Sequence, residues 1–216
     1  MKVKNTTVNK ITDYICKEIM YGNIKSEEHL KESKIAKLFG VSRVPVRESL
    51  RILQSEGFVI LIPNRGSFVR KISSEYITEI SKVYILIAPE ILQNAIPKYT
   101  ESTFKKAYVA ISKIEKCKEA YKIGYLLWDF AKIIFSPTDL KFMYSIKDEM
   151  YKHNIRILND LFDMRQQKHI FDLRPHKKFL DLCKKKKKNE AIKVWCDYVN
   201  ELSENFQKVK ANNSKK

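Results

Sequence analysis

The stretch Val41-Ser42-Arg43-Val44-Pro45-Val46-Arg47-Glu48-Ser49-Leu50, followed by Gly57-Phe58-Val59-Ile60-Leu61-Ile62-Pro63-Asn64-Arg65-Gly66-Ser67-Phe68-Val69, decides the reading of the fold. In the first half, Val46, Leu50 and Leu53 recur with helical spacing, and Ser42 stands before them as an N-cap. Pro45 fits there because the first turn of a helix has no intrahelical partner for a missing N–H. Arg43, Arg47 and Arg51 recur every four residues and share another face. In the second half the periodicity changes. Phe58 to Ile62 is a dense β-branched and aromatic run, Pro63 to Gly66 reads as a turn, and Ser67 to Arg70 reads as a second strand.

Upstream, Val8, Ile11, Ile15 and Ile19 mark one helix ended by Gly22. Ile35, Ala36 and Phe39 mark a short second helix over Lys31 to Phe39, closed by Gly40. Three helices followed by a hairpin predict a winged helix-turn-helix within residues 1–73. From about Glu75 the pattern is helical only. Ile77, Ile80, Tyr84 and Ile87, then Tyr108, Ile111 and Ile114, then Leu140, Met143, Ile146 and Met150, then Val194, Tyr198, Leu202 and Phe206 repeat at helical spacing. The fold class expected is therefore mainly α, a winged helix-turn-helix followed by an all-α helical bundle over 74–210. Residues 211–216 are expected to be a disordered basic tail. Pro89 is expected to kink the first bundle helix, while Ser136-Pro137 and Arg174-Pro175 mark helix boundaries. Lys184 to Lys188 reads as a solvated turn between helices rather than a DNA-binding run.

The chain of 216 residues carries a net charge of +17, which suits a polyanionic partner. Charge alone does not locate the contact, because residues 1–74 hold 14 basic against 7 acidic residues and the remaining +10 lies beyond them. Arginine is more telling: Arg43, Arg47, Arg51, Arg65 and Arg70 cluster, and residues 1–42 contain none. Guanidinium groups at the start of an exposed helix can pair bidentately with guanine O6 and N7, and Arg65 at a hairpin tip can enter the minor groove. Double-stranded DNA is thus the expected partner. No apolar run is long enough to span a bilayer and the N-terminus has no signal core, so a cytoplasmic protein without membrane contact is expected. The four cysteines are far apart and read as reduced, small apolar residues. No nucleophile–base set, phosphate loop or H-E-x-x-H segment is present, so no enzymatic activity and no cofactor are expected.

The run from Gly22 through Leu30, Val41-Ser42-Arg43-Val44-Pro45-Val46-Arg47-Glu48, Glu56-Gly57-Phe58-Val59 and Pro63-Asn64-Arg65-Gly66-Ser67-Phe68-Val69 resembles the GntR family of bacterial transcription regulators over its DNA-binding domain. Ser26-Glu27 stand where that family usually has a Pro-Gly turn. The resemblance implies DNA contacts at Ser42, Arg43, Val44, Pro45 and Arg47, at Ser33 and Lys34 on the preceding helix, and at Gly66, beside Arg65, on the wing. It also implies a homodimer on a palindromic operator, acting as a repressor.

The bundle is similar to the FadR-type (FCD) effector domain, which binds a small carboxylate, often over a metal held by one Asp and three His. His176-Lys177-Lys178-Phe179 matches that domain's penultimate helix, and Tyr198 falls where a further His is usual. Around Trp128-Asp129-Phe130 two registers are open. Asp129 is the ligand Asp with Ile133 replacing a His, or Asp129 replaces the His and Tyr125 the Asp. Either way the donor set is degenerate and no metal is expected. Lys82 stands near the family's carboxylate-gripping Arg. The expected effector pocket is therefore Lys82, Asp129, His176 and Tyr198, and the alternative is a bundle that binds neither effector nor metal and serves only dimerisation or protein interaction. His29, His153 and His169 have no partner pattern and read as surface histidines.

Overall fold

The computed structural model describes residues 6–165 and 172–213. The chain divides into two compact units between Ile72 and Ser73.

In the first unit, α1 (Thr7–Met20) is capped by Thr6, whose hydroxyl accepts from the Asn9 N–H at 3.3 Å, and it buries Ile11, Ile15 and Ile19. Helix α2 (Glu32–Phe39) ends on Gly40, whose left-handed φ of 64° suits the one residue without a Cβ. Helix α3 (Arg43–Ser55) turns Val46, Leu50 and Leu53 into the core. It is fastened to α1 by the buried Ser49 hydroxyl, 3.0 Å from the Val8 carbonyl oxygen. Strands β1 (Val59–Ile62) and β2 (Gly66–Val69) pair antiparallel, Val59 opposite Val69 and Ile62 opposite Gly66. The Arg65 N–H donates to Ile62 O at 3.0 Å with Asn64 at φ 60°, the positive φ that a type II turn puts after its proline, here Pro63. The three helices and hairpin expected from the sequence are all present.

The α1–α2 connection adds what the sequence did not announce, a third edge to the wing. Leu30 N–H donates to Ser67 O at 2.8 Å, Val69 N–H to Glu28 O at 3.0 Å, and Glu27 N–H to Val69 O at 3.0 Å. Glu27 sits at φ 67°, the left-handed conformation that the glycine of a Pro-Gly turn adopts freely. The loop therefore keeps its shape although Ser26-Glu27 replace Pro-Gly, and the strain falls on Glu27. A left-handed non-glycine residue costs about 1–2 kcal/mol, partly offset by the extra unfolded freedom of glycine. Glu27→Gly is expected to stabilise the domain by about 0.5–1 kcal/mol in urea unfolding, since the exposed pair lost with Lys71 at 3.7 Å contributes little. A fall in stability would contradict the strain.

The second unit is all helical: α4 (Ser74–Ala95), a 3₁₀ turn at Ile96–Lys98, α5 (Glu101–Lys116), α6 (Ala120–Phe135), α7 (Lys141–Arg165), α8 (Arg174–Lys184) and α9 (Lys188–Asn213). Helix α4 packs on α7 and α9, α5 on α6, and α8 on α9. Phe130, Phe135, Phe179, Leu180 and Trp195 form the centre of the core. Helix α4 continues through Pro89 to Ala95. Helix α9 reaches Asn213 and so enters the stretch expected to be a disordered tail, of which 214–216 lie outside the described residues. Of the run Lys184 to Lys188, Lys184 ends α8 and the half-buried Lys188 opens α9, while Lys184 to Lys187 are exposed. No described helix is long and apolar enough to cross a membrane.

Lys147 on α7 is the unexpected core residue, with 0% side-chain exposure. Its Nζ lies 4.7 Å from the Phe135 ring centre, 5.1 Å from Tyr144 and 5.3 Å from Tyr151. Asp148 Oδ1 is 3.8 Å away and accepts from Trp128 Nε1 at 2.7 Å. Burial pulls the ammonium down to about 8, against the opposing pull of Asp148. Between pH 8 and the ordinary lysine value of about 10.4, the unfolded chain binds more protons here than the folded one, so this residue makes stability rise with pH. Subtracting the alkaline stability profile of Lys147→Met from that of the wild type should leave such a rise; a flat difference would refute it.

Candidate nucleic-acid interface

The start of α3 presents a compact set of groups to solvent. Ser42 occupies the N-cap position in extended backbone (φ −70°, ψ 169°), yet its hydroxyl makes no capping bond. The hydroxyl expected to close the helix is instead open, together with the first-turn N–H groups, in the arrangement that receives a phosphate oxygen. Arg43 is exposed and forms no ion pair among the described residues, and Val44 is 62% exposed. An apolar side chain at this position suits a thymine methyl. Pro45 is half-buried behind them, while Ser33 and Lys34 are exposed at the start of α2.

Arg47 differs from Arg43. Its Nε lies 3.0 Å and 2.8 Å from the two carboxylate oxygens of Glu32, which ties α3 to α2. The sequence places both arginines on a base-reading face; the structure gives Arg47 a holding role as well, with part of its guanidinium already engaged. Arg65 is exposed at the hairpin tip, its Cζ 5.7 Å from the centre of the Phe68 ring. Gly66 follows at φ 96°, a conformation that favours glycine, and a Cβ there would lie 2.9 Å from His29 Nε2.

In the bundle, the four residues expected to share a pocket do not converge. His176 on α8 is buried against Tyr198 on α9, their ring centres 4.6 Å apart, with Phe130 at 5.1 Å and Trp195 at 5.5 Å. Burial lowers its pKa to about 4, with Asp172 opposing, so the ring is neutral at pH 7. Asp129 instead is exposed, paired with Lys132 at 2.8 Å, and lines a surface groove with Lys105, Lys106 and Lys113. Phe130 holds the inward phase of α6, which turns its neighbour about 100° away. Lys82 is exposed for the same reason: Tyr84, two positions on, is the inward residue of α4. Both placements correct the expected pocket.

The bundle holds a partly open cavity of about 50 Å³, lined by Tyr84, Tyr151, Trp195 and Tyr198 together with Ser81, Asn154 and Ser203. The Tyr84 hydroxyl and the Trp195 indole N–H are buried in this wall. Helical phase finds Tyr84 and Tyr198 from the sequence, but nothing in the pattern joins them to Tyr151. No cluster of three metal-ligating side chains occurs among the described residues. His153, read as a surface histidine, is buried and lies 2.5 Å from the Tyr76 hydroxyl; His169 lies outside the described residues.

Residues 7–69 match the family model described as bacterial regulatory proteins, gntR family. An uncharacterized HTH-type transcriptional regulator, YdhC, of Bacillus subtilis is 29% identical over 126 residues, 53% of this chain and 56% of that protein. The gluconate operon transcriptional repressor of the same organism is 28% identical over 149 residues, covering 67% of this chain and 58% of the repressor. The chain thus spans little more than half the length of these relatives. Among solved structures, a GntR family transcriptional regulator from Pseudomonas syringae superimposes with a TM-score of 0.61 at 23% identity, covering 96% of this chain and 87% of the other. These relatives are regulators and none is an enzyme.

Proposed function

We propose that this chain, which carries the DNA-binding domain of the GntR family over residues 7–69, is a cytoplasmic transcriptional regulator that binds a palindromic operator as a homodimer. The observation that carries the reading is the unpaired, exposed Arg43 beside Val44 and the uncapped Ser42, presented at one helix start with Arg65 on the wing. In that arrangement Arg43 and Val44 read base edges in the major groove and Ser42 receives a phosphate. Arg47 orders the helix through Glu32 and adds a contact, Ser33 and Lys34 touch the backbone, and Arg65 and Gly66 approach the minor groove. Repression is the sign of regulation this reading adopts, by analogy with the gluconate operon repressor. Self-association is supported by apolar residues left at the bundle surface, Leu86 at 74% exposure and Phe142 at 79%. Footprinting of the region upstream of the protein's own gene should show a protected inverted repeat, and sedimentation should give a dimer. Absence of any protected segment there and in random-sequence selection would refute the reading.

A small molecule in the cavity against Tyr84, Trp195 and Tyr198 would shift the spacing of two DNA-binding domains by favouring one arrangement of the bundle. A specific observation favours the second reading, a bundle that only dimerises. The described wall of the cavity offers hydroxyls, an amide and an indole but no cation for a carboxylate. Thermal shift with small mono- and dicarboxylic acids separates the two, since a bound acid raises the transition temperature in a concentration-dependent way.

A further inference from the structure

His29 lies outside every element of the helix-turn-helix, yet the structure places it at the tip of the wing. It pairs antiparallel with Phe68, and its ring stacks on the Phe68 ring with centres 4.7 Å apart and planes 17° from parallel. Its Nε2 sits where any side chain at position 66 would have to go, 2.9 Å from the Cβ that Gly66 lacks. The imidazole is exposed, and Arg65 approaches the same Phe68 ring at 5.7 Å. Its flanking Leu30 and Glu28 are bonded to β2 through Ser67 and Val69, so the ring stands on a fixed backbone.

We infer that His29 is a further DNA contact, a wing-tip imidazole that donates to a backbone phosphate. The inference rests on the proposed DNA-binding role and adds a residue to it. The geometry carries it: a wing that brings Arg65 and Gly66 to a phosphate-lined groove brings His29 Nε2 to the same place, because Gly66 and His29 are in contact range. An imidazole N–H is a donor matched to a phosphate oxygen, and a full cation put in its place is an added released counterion. The charged groups around it leave the position open to an anion. Arg65 shares the Phe68 ring, Glu27 faces Lys71 at 3.7 Å, Glu28 accepts from the Lys25 N–H at 3.0 Å, and Lys31 follows two residues on.

The test is fluorescence anisotropy of the full chain on a labelled random-sequence duplex at pH 7.5 over a salt series, for the wild type, His29→Ala and His29→Arg. A phosphate contact acts on any sequence, so no operator is needed. His29→Ala should bind roughly three- to tenfold more weakly than the wild type, the loss of one hydrogen bond, and His29→Arg should show a log K against log salt slope steeper by up to about 0.9, the increment for one phosphate. Circular dichroism of each variant confirms an unchanged fold. Equal affinities for wild type and His29→Ala, with an unchanged slope in His29→Arg, would overturn the contact while leaving DNA binding intact. Failure of the wild type to bind the duplex would overturn the DNA-binding reading and this inference with it.

Discussion

Replacing Arg43 by alanine is expected to weaken binding to the footprinted site by about 1–3 kcal/mol, roughly 5- to 150-fold, while binding to a random duplex falls much less. The asymmetry follows from its surroundings. Arg43 is exposed at the first position of α3 and pairs with no carboxylate among the described residues, so its removal disturbs neither the core nor a described salt bridge. On the proposed reading what disappears is a bidentate pairing to a base, which forms only on the correct sequence. Arg47→Ala should behave otherwise. It releases Glu32, bonded to Arg47 Nε at 2.8 Å, and so loosens α2 against α3, lowering specific and non-specific affinity together. Gel-shift titrations with the two duplexes measure both ratios. A proportionate loss on both duplexes for Arg43→Ala would remove it from base reading.

How far the sequence reveals this site depends on what kind of pattern each residue belongs to. Arg43, Arg47 and the apolar Val46, Leu50 and Leu53 were legible because helical phase separates an outward from an inward face, and α3 obeys that phase. The hairpin was legible because Pro63-Asn64 and Gly66 each need a backbone conformation that few residues accept. His29 was not, because its role comes from a single cross-strand pairing with Phe68, and one residue has no period. Phase also explains the misplaced pocket. Lys82 and Asp129 were placed by nearness to family positions, and the inward phase at those points belongs to Tyr84 and Phe130. Lys147 shows the remaining limit: nothing in a lysine-rich sequence marks out a lysine that three aromatic rings enclose.

The bundle should lose about 3 kcal/mol of stability as pH falls from 6.5 to 4, and His176 is the reason. The ring is 2% exposed and packed against Phe130, Trp195 and Tyr198, where an imidazolium would be poorly solvated. Burial holds it neutral down to about pH 4, whereas in the unfolded chain it takes up a proton near 6.5. Between those values the unfolded state binds more protons, so stability rises with pH through the window and is fully present above it. His176→Phe keeps an aromatic ring in contact with its neighbours and cannot be protonated. Its stability, followed by urea unfolding at steps from pH 7 to 4, should therefore fall less than that of the wild type by about this amount. The cavity walled by Trp195 and Tyr198 shares these rings, so the same step acts on the cavity wall. If the two proteins lose stability in parallel, His176 is not the acid-sensitive group, and the source lies among the carboxylates whose pKa values their partners depress, such as Asp139 beside Lys98 and Asp172 beside Arg174.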